Sequence, residues 1–145
     1  MNVQTTLNFQ GRTEEAVAFY RRAIDAETLF LLRFRERPDY SPARPDLKDK
    51  IFHATLRIGA TVIMASDCGC EEPSAKTAFA GFSLALQVDS PEKAERFFTA
   101  LSAGGQVQIP LGETFFATRY GILVDRFGIS WKVMVESKTQ SPGPA

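Results

Sequence analysis

Histidine and cysteine are scarce in this 145-residue chain, and that scarcity limits the chemistry that the protein can perform. The chain has one histidine, His53, so a two-histidine, one-carboxylate iron site cannot be assembled within a single chain. The two cysteines, Cys68 and Cys70, flank a single glycine, which excludes a disulfide framework. Such a pair can hold a thiophilic metal or form a redox couple, but no further cysteine or histidine stands near it in the sequence.

Net charge, long apolar runs and a secretory signal are also lacking. Seventeen basic and seventeen acidic residues cancel, so no global field favours nucleic acid or an anionic membrane surface. The longest apolar runs fall far short of a bilayer span, and residues 1–20 show no basic segment followed by an apolar block. We therefore expect a cytoplasmic protein with no nucleic-acid or membrane partner and with enough chain to bury a sizeable core.

One motif occurs twice in the chain. Residues 7–24 and 85–102 each have the pattern of a strand, a polar turn and an amphipathic helix. A shift of 78 positions aligns three pairs of apolar residues: Ala16 with Ala94, Phe19 with Phe97, and Tyr20 with Phe98. A repeat of this size indicates two similar units stacked together, with a pocket in or between them.

Each half of the chain has the pattern of a βαβββ module. In the first half, strands are predicted at 3–9, 28–35, 51–58 and 61–66. Its helix is predicted to begin at Thr13 as the N-cap, and the charged segment 36–50, with three prolines, is predicted to be an exposed loop.

In the second half, strands are predicted at 82–88, 106–109, 120–125 and 129–136. Ser90 is the expected N-cap of its helix, Pro91 the first helical residue, and Gly104-Gly105 the end. The predicted organisation is a first module at 1–66, a linker at 67–80, a second module at 81–136 and a disordered tail at 137–145.

Alternation along the strands divides the side chains between a helix-covered face, which includes Trp131, and an open face. If Gly59-Ala60 forms a two-residue turn, Thr55 lies opposite Met64, and His53 lies opposite Ser66. The residues expected on the open faces are His53, Thr55, Arg57, Met64, Ser66, Ser83, Gln87, Ser130, Lys132, Met134 and Glu136. A curved sheet with such a mixed lining indicates a cavity for a small organic molecule.

A duplicated βαβββ unit resembles the vicinal-oxygen-chelate superfamily, which includes glyoxalase I, extradiol dioxygenases, fosfomycin-resistance proteins and bleomycin-binding proteins. Three segments within residues 3–136 are similar to its PhnB-like branch: FQGRTEEAVAFY, HATLRIGATVIMASD and IPLGETFFATRYGILVDRFGISW. The resemblance implies an α+β fold of two βαβββ modules around an open, barrel-like cleft. It also implies a homodimer, because superfamily members often exchange modules or pack edge to edge.

Proteins of this branch are also labelled demethylubiquinone methyltransferase-like. The sequence shows no strand, glycine-rich loop and helix of the kind that holds a nucleotide-like cofactor, so the residues do not support that label.

In the metal-dependent members, four strand positions supply the metal ligands. The resemblance places these positions at Thr5, Met64, Ser83 and Lys132, and the repeat shift of 78 relates Thr5 to Ser83. The parity of Leu7 and Phe9 conflicts with this register, so the first strand is either one residue out, which offers Gln4, or contains a bulge. Hydroxyls, a thioether and an ammonium form a poor shell for a hard divalent ion, so we expect no metal cofactor.

Three open-face residues have two interpretations each. His53 is either a general base or ligand donor, since imidazole titrates near neutral pH, or a structural histidine bonded to Ser66 or Asp67. Lys132 either binds an anionic ligand or forms an internal ion pair with Glu136, four residues along the same face. Arg57, near a hairpin end, either faces solvent or contacts the ligand.

The segment TFFATRYG holds four further candidates: Phe115, Phe116, Arg119 and Tyr120. An aromatic wall with one guanidinium suits a planar or carboxylated ligand, and the alternative is a packed segment at a dimer interface.

We therefore hold several functional hypotheses. The first is a metal-free protein that binds a small organic molecule, as bleomycin-binding members do. The second is a lyase, isomerase or hydrolase that uses His53 with Lys132 or Glu136 as acid and base. A metal-dependent glyoxalase- or dioxygenase-like enzyme follows if the ligand assignment is wrong. The last hypothesis is a protein whose fold serves an interaction unrelated to the cavity.

Overall fold

The computed structural model describes residues 1–68, 70 and 78–137. The chain forms two compact units, unit 1 at Met1–Thr77 and unit 2 at Ala78–Ala145. Residues 69 and 71–77 of the predicted linker, and residues 138–145 of the predicted disordered tail, lie outside the described residues.

Unit 1 is a βαβββ module. Its elements are β1 (Thr6–Asn8), α1 (Thr13–Ile24), β2 (Glu27–Arg33), β3 (Ile51–Ile58) and β4 (Thr61–Ser66). The sheet has the order β1-β4-β3-β2, with β1 parallel to β4 and the other neighbours antiparallel. The hairpin register places Thr55 opposite Met64, as the alternation predicts.

Unit 2 repeats the same topology. Its elements are β5 (Leu84–Gln87), α2 (Pro91–Ser102), β6 (Gln106–Gly112), β7 (Ala117–Val124) and β8 (Ser130–Glu136). The sheet has the order β5-β8-β7-β6, with β5 parallel to β8. The expected α+β fold of two βαβββ modules is confirmed, and the four strands of each sheet do not close into a barrel.

The repeated apolar residues form the two cores. Ala16 and Ala94 are both 0% exposed, and the two aromatic pairs aligned with them are buried as well. Burial of one such large apolar side chain contributes about 1.5–3 kcal/mol. In unit 2 the helix approaches the sheet closely at Gly121, where a Cβ would come within 2.7 Å of Cε2 of Phe98. Trp131 is 2% exposed, which confirms its core position.

The two helices begin differently. Ser90 caps α2 as expected, because its hydroxyl accepts a hydrogen bond of 3.2 Å from the backbone N–H of Lys93. The prediction that Thr13 caps α1 is wrong, since Thr13 is the first helical residue and makes no cap. The capping group is the buried carboxylate of Asp67, which accepts bonds of 2.8 and 3.0 Å from the N–H groups of Gly11 and Thr13.

Several predicted boundaries also move. The first strand is shorter than the predicted 3–9, and β5 is shorter than 82–88, whereas β6 extends to Gly112. The segment 36–50 is not wholly exposed, because a 3-10 turn at Pro45–Leu47 places the side chain of Leu47 in the core, 7% exposed. Within the described ranges, neither helix has the length and hydropathy needed to cross a bilayer.

Candidate functional site

The open face of unit 1 is centred on a histidine–threonine pair. His53 Nε2 lies 3.1 Å from Thr55 Oγ1, two residues along the same strand and on the same face. The ring of Phe30 lies 6.0 Å from the imidazole, because β2 runs beside β3 at this point. The predicted hydrogen bond between His53 and Ser66 or Asp67 is therefore wrong, because among the described residues the imidazole is bonded to Thr55. The side chain of Asp67 is bonded instead to backbone groups of the core.

Arg57 lies on the same face near the hairpin end and is exposed. Its guanidinium forms an ion pair with Glu27, which the antiparallel register places directly opposite on β2. The pair is about half exposed, so the structure places Arg57 toward solvent, as one of its two interpretations expects.

The structure settles the register of β1. Leu7 and Phe9 are 2% and 1% exposed, so they belong to the core, and Thr6 lies opposite Met64 on the open face. Thr5, the expected metal position, has the opposite parity from Thr6.

The turn lengths explain this shift. The turn before α1 holds four residues, 9–12, whereas the turn before α2 holds three, 88–90. The extra residue is accommodated where Gln10 and Gly11 adopt positive φ values of 52° and 98°. The helices therefore align with a shift of 78 positions but the preceding strands with 79, so the predicted relation of Thr5 to Ser83 is wrong.

The open face of unit 2 carries three polar groups along β8. Ser130 Oγ lies 2.8 Å from Ser83 Oγ, the half-buried Lys132 follows, and Glu136 is at the far end. Glu136 Oε1 accepts a bond of 3.0 Å from Gln87 Nε2, whose amide also lies 3.7 Å from Met134 Sδ. The expected ion pair between Lys132 and Glu136 is wrong, because among the described residues it is Gln87 that binds this carboxylate.

The aromatic candidates and the guanidinium of Arg119 were expected together, but Tyr120 and Arg119 lie on different faces of the sheet. Phe115, Phe116 and Tyr120 form a row in which successive ring centroids are 5.0 Å apart and near perpendicular. Tyr120 lies opposite Met134 on the open face, whereas Arg119 lies opposite Val135 on the helix-covered face. There Arg119 Nε is 3.8 Å from Glu95 of α2. Strand alternation therefore leaves an aromatic row without Arg119.

Unit 2 also has a concavity of about 760 Å³ where β5 and β8 end and α2 begins. Its lining residues are Gln87, Val88, Asp89, Pro91, Thr118, Val135, Glu136 and Ser137. Gln87 and Glu136 are expected site residues, and the other six were missed. They were missed because the parallel pairing of β5 with β8, which brings the carboxyl ends of both strands beside the same turn, joins segments that are distant in sequence.

The metal-ligand positions do not fit a divalent ion. Met64 and Lys132 keep their expected faces, and the neighbours of these residues on β1 and β5 are Thr6 and Ala85. Unit 1 thus offers a thioether and a hydroxyl, and unit 2 an ammonium and a methyl group, and neither pair suits a hard cation. In the part of the chain that the structure describes, no cluster of three histidine, cysteine or acidic side chains has the geometry to hold a metal.

The cysteines lie beside the end of β4. Neither forms a disulfide and both are partly buried, and Cys68 Sγ lies 3.7 Å from the carbonyl oxygen of Phe52. Gly69, which separates them, is outside the described residues.

The chain is similar to known proteins along almost its whole length. The family described as 3-demethylubiquinone-9 3-methyltransferase matches residues 1–134. Protein YjdN of Escherichia coli (strain K12) is 34% identical over 143 residues, which cover 93% of this chain and 95% of YjdN. The crystal structure of protein PA1353 from Pseudomonas aeruginosa is 39% identical with a TM-score of 0.80, and the match covers 94% of this chain and 98% of that one.

A further solved structure is a putative 3-demethylubiquinone-9 3-methyltransferase, PhnB protein, from Bacillus cereus. It is 26% identical with a TM-score of 0.74, over 93% of this chain and 99% of that one. More distant structures, described as glyoxalase-related or as a glyoxylase/bleomycin resistance protein/dioxygenase domain, are 17% and 16% identical with TM-scores of 0.61 and 0.64 and share the fold alone. The chain therefore belongs to the PhnB-like family described as 3-demethylubiquinone-9 3-methyltransferase.

Proposed function

We propose that this protein binds a small organic molecule on the open faces of its sheets without a divalent metal ion. The observation that carries the proposal is the chemistry of the strand positions that hold the metal in metal-dependent superfamily members. Met64, Lys132 and their strand neighbours supply a thioether, an ammonium, a hydroxyl and a methyl group. These groups suit an organic ligand of mixed polarity and do not suit a cation.

Each open face offers a distinct set of contacts. In unit 1 the imidazole of His53, oriented by Thr55, lies beside the exposed ring of Phe30. In unit 2 Tyr120 shares the open face with Lys132, and the ring of Phe116 packs against Tyr120. The nearby concavity of about 760 Å³ falls within the range of small-molecule sites, about 300–1,000 Å³.

Methyl transfer, which the family description names, is not part of the proposal. The turn that joins β1 to α1 contains one glycine, Gly11, and the turn that joins β5 to α2 contains none. Sites that hold a nucleotide-like cofactor have instead a glycine-rich loop at a helix N-terminus.

The proposal is tested by thermal melting and calorimetry of chelator-treated protein, with chelator present throughout. The panel holds aromatic acids, aliphatic acids and neutral aromatic compounds of similar size. We expect at least one class to raise the melting temperature at one molecule per chain, with smaller effects in His53→Ala or Phe116→Leu. Arg21→Ala, on the exposed side of α1, is the matched control and should leave the effect unchanged.

The proposal fails if no class binds with chelator present, and binding that appears only after addition of a divalent ion would replace it with a metal-dependent site. It also fails if the binding is equally strong in every variant, since the ligand would then lie away from the open faces.

A further inference from the structure

We propose that the open face of unit 2 is a subsite for an aromatic carboxylate, with the carboxylate at Lys132 and the ring against Tyr120 and Phe116. This inference rests on the proposed function and names its ligand class. It starts from an unusual feature of β8, a half-buried lysine in the middle of a sheet face.

The neighbours of Lys132 do not neutralise its charge. Across the sheet it lies between Ala85 of β5 and Ile122 of β7, both apolar. Among the residues that the structure describes, no hydrogen bond or ion pair to its ammonium is found. A lysine with apolar neighbours on both sides and no acidic partner among the described residues is available to an anionic group, so this position favours a bound anion.

A second donor lies beside the ammonium. Ser130 is two residues from Lys132 on the same face, and its hydroxyl is paired with that of Ser83 at 2.8 Å. Because one hydroxyl donates to the other, the accepting hydroxyl keeps its own proton for a further hydrogen bond. A carboxylate has two oxygens, which match an ammonium and a hydroxyl as two donors.

The far end of the same face excludes a carboxylate. Glu136 is four residues beyond Lys132, about 13 Å along the strand, and holds the amide of Gln87. An anionic group therefore has one preferred position on this face, beside Lys132.

The ring position follows from the strand register. Tyr120 lies opposite Met134 while Lys132 lies opposite Ile122, so Tyr120 and Lys132 are diagonal neighbours about 7–8 Å apart. Phe116 packs edge-on against Tyr120 at 5.0 Å, which extends the aromatic surface away from the lysine. A planar ring attached to the carboxylate reaches this surface, and aromatic contacts of this kind favour flat over saturated rings.

The test uses four probes on the full chain: benzoate, benzamide, cyclohexanecarboxylate and inorganic phosphate. Dissociation constants are measured by titration, and ¹⁵N–¹H spectra locate the binding site. We expect benzoate to bind about tenfold or more tightly than benzamide, with shifts at β7 and β8 around Lys132. In Lys132→Met this preference should fall to about one, whereas Arg96→Met, which removes an exposed charge from α2, should keep it.

The aromatic part of the inference has its own comparison. Benzoate should bind more tightly than cyclohexanecarboxylate, and Phe116→Leu should remove that difference while the preference for benzoate over benzamide remains. Phosphate that competes with benzoate at equal affinity would overturn the aromatic assignment in favour of a general oxyanion site.

An unchanged benzoate preference in Lys132→Met, or shifts confined to residues outside β5, β7 and β8, would overturn the inference. Equal binding of benzoate and benzamide would overturn it while the proposed function stands. Failure of all four probes would overturn it too, and the proposed function falls with it only if the wider panel also fails.

Discussion

The hydroxyl of Thr13 donates a hydrogen bond of 2.6 Å to Asp67 Oδ1, although 54 residues separate the two in the sequence. The same carboxylate accepts backbone N–H groups from the start of α1 and, through Oδ2, from Ile51 at 2.8 Å. Asp67 is 1% exposed, so these bonds form in the core. One side chain therefore joins the end of β4, the start of α1 and the start of β3.

Replacement of this carboxylate should destabilise the protein strongly. Asp67→Ala leaves the N–H groups of Gly11, Thr13 and Ile51 without their acceptor, and each buried unpaired group costs about 1–3 kcal/mol. We expect the free energy of unfolding to fall by at least about 3 kcal/mol, measured by urea denaturation. Asp46→Ala, which removes an exposed aspartate paired with its neighbour Arg44, should leave the free energy of unfolding almost unchanged. Equal effects of the two substitutions would contradict this role for Asp67.

A second prediction concerns pH. The side-chain hydrogen bond from Arg33 is the largest cause that lowers the pKa of Glu14 below the ordinary glutamate value. A lowered folded-state pKa means that the contribution is present above the ordinary glutamate pKa and is lost as pH falls through the lowered value. Because Glu14 is 64% exposed, we expect Glu14→Gln to cost at most about 1 kcal/mol at neutral pH and nothing in strong acid.

Melting temperatures of Glu14→Gln, Arg33→Met and the double variant, compared at neutral and acid pH, measure this coupling. A coupling that is the same at both pH values would contradict the assignment.

Local periodicity predicted the parts of the fold that depend on neighbouring residues. The hairpin register of Thr55 with Met64 and the equivalent burial of Ala16 and Ala94 are both confirmed. The predicted register of β1 is wrong because one extra residue in a turn changes the parity of a whole strand. The predicted cap of α1, Thr13, is wrong because the actual acceptor, Asp67, is distant in sequence and has the pattern of an ordinary loop residue.

The site was predictable to a similar extent. Alternation predicted that His53, Thr55 and Lys132 lie on open faces. The same alternation separates Arg119 from Tyr120, which were expected together, since adjacent residues of a strand point to opposite sides. The partner of a long side chain was not predictable. Glu136 binds Gln87 across the parallel β5–β8 pair, and no sequence pattern specifies that pairing.

The third prediction separates binding from catalysis at His53. If the protein only binds its ligand, a panel compound that stabilises it should be recovered unchanged after prolonged incubation, as checked by NMR of the compound. His53→Ala should then alter affinity alone. Turnover that disappears in His53→Ala, but persists in the surface variant Arg21→Ala, would support the acid–base alternative with Lys132 or Glu136.

The fourth prediction is a homodimer, which the superfamily resemblance implies. The outer strand β2 exposes Leu29 and Phe30 at 46% and 51%, and the outer strand β6 exposes Val107 and Ile109 at 44% and 47%. Exposed apolar outer strands favour self-association. Light scattering should give twice the 16.1 kDa chain mass, and a lysine at Ile109 or Phe30 should lower it. A monomer at all concentrations would contradict the prediction.

The most direct test of the central claim, that this member of the family works without a divalent metal, is the melting of chelator-treated protein with added Ni, Co, Mn, Zn or Fe ions. A specific site stabilises the folded state by about 2.7 kcal/mol when free metal is a hundredfold above Kd, which raises the melting temperature by several degrees. We expect no such shift and no stoichiometric metal. A shift at one ion per chain that survives replacement of Cys68 and Cys70 by serine would contradict it.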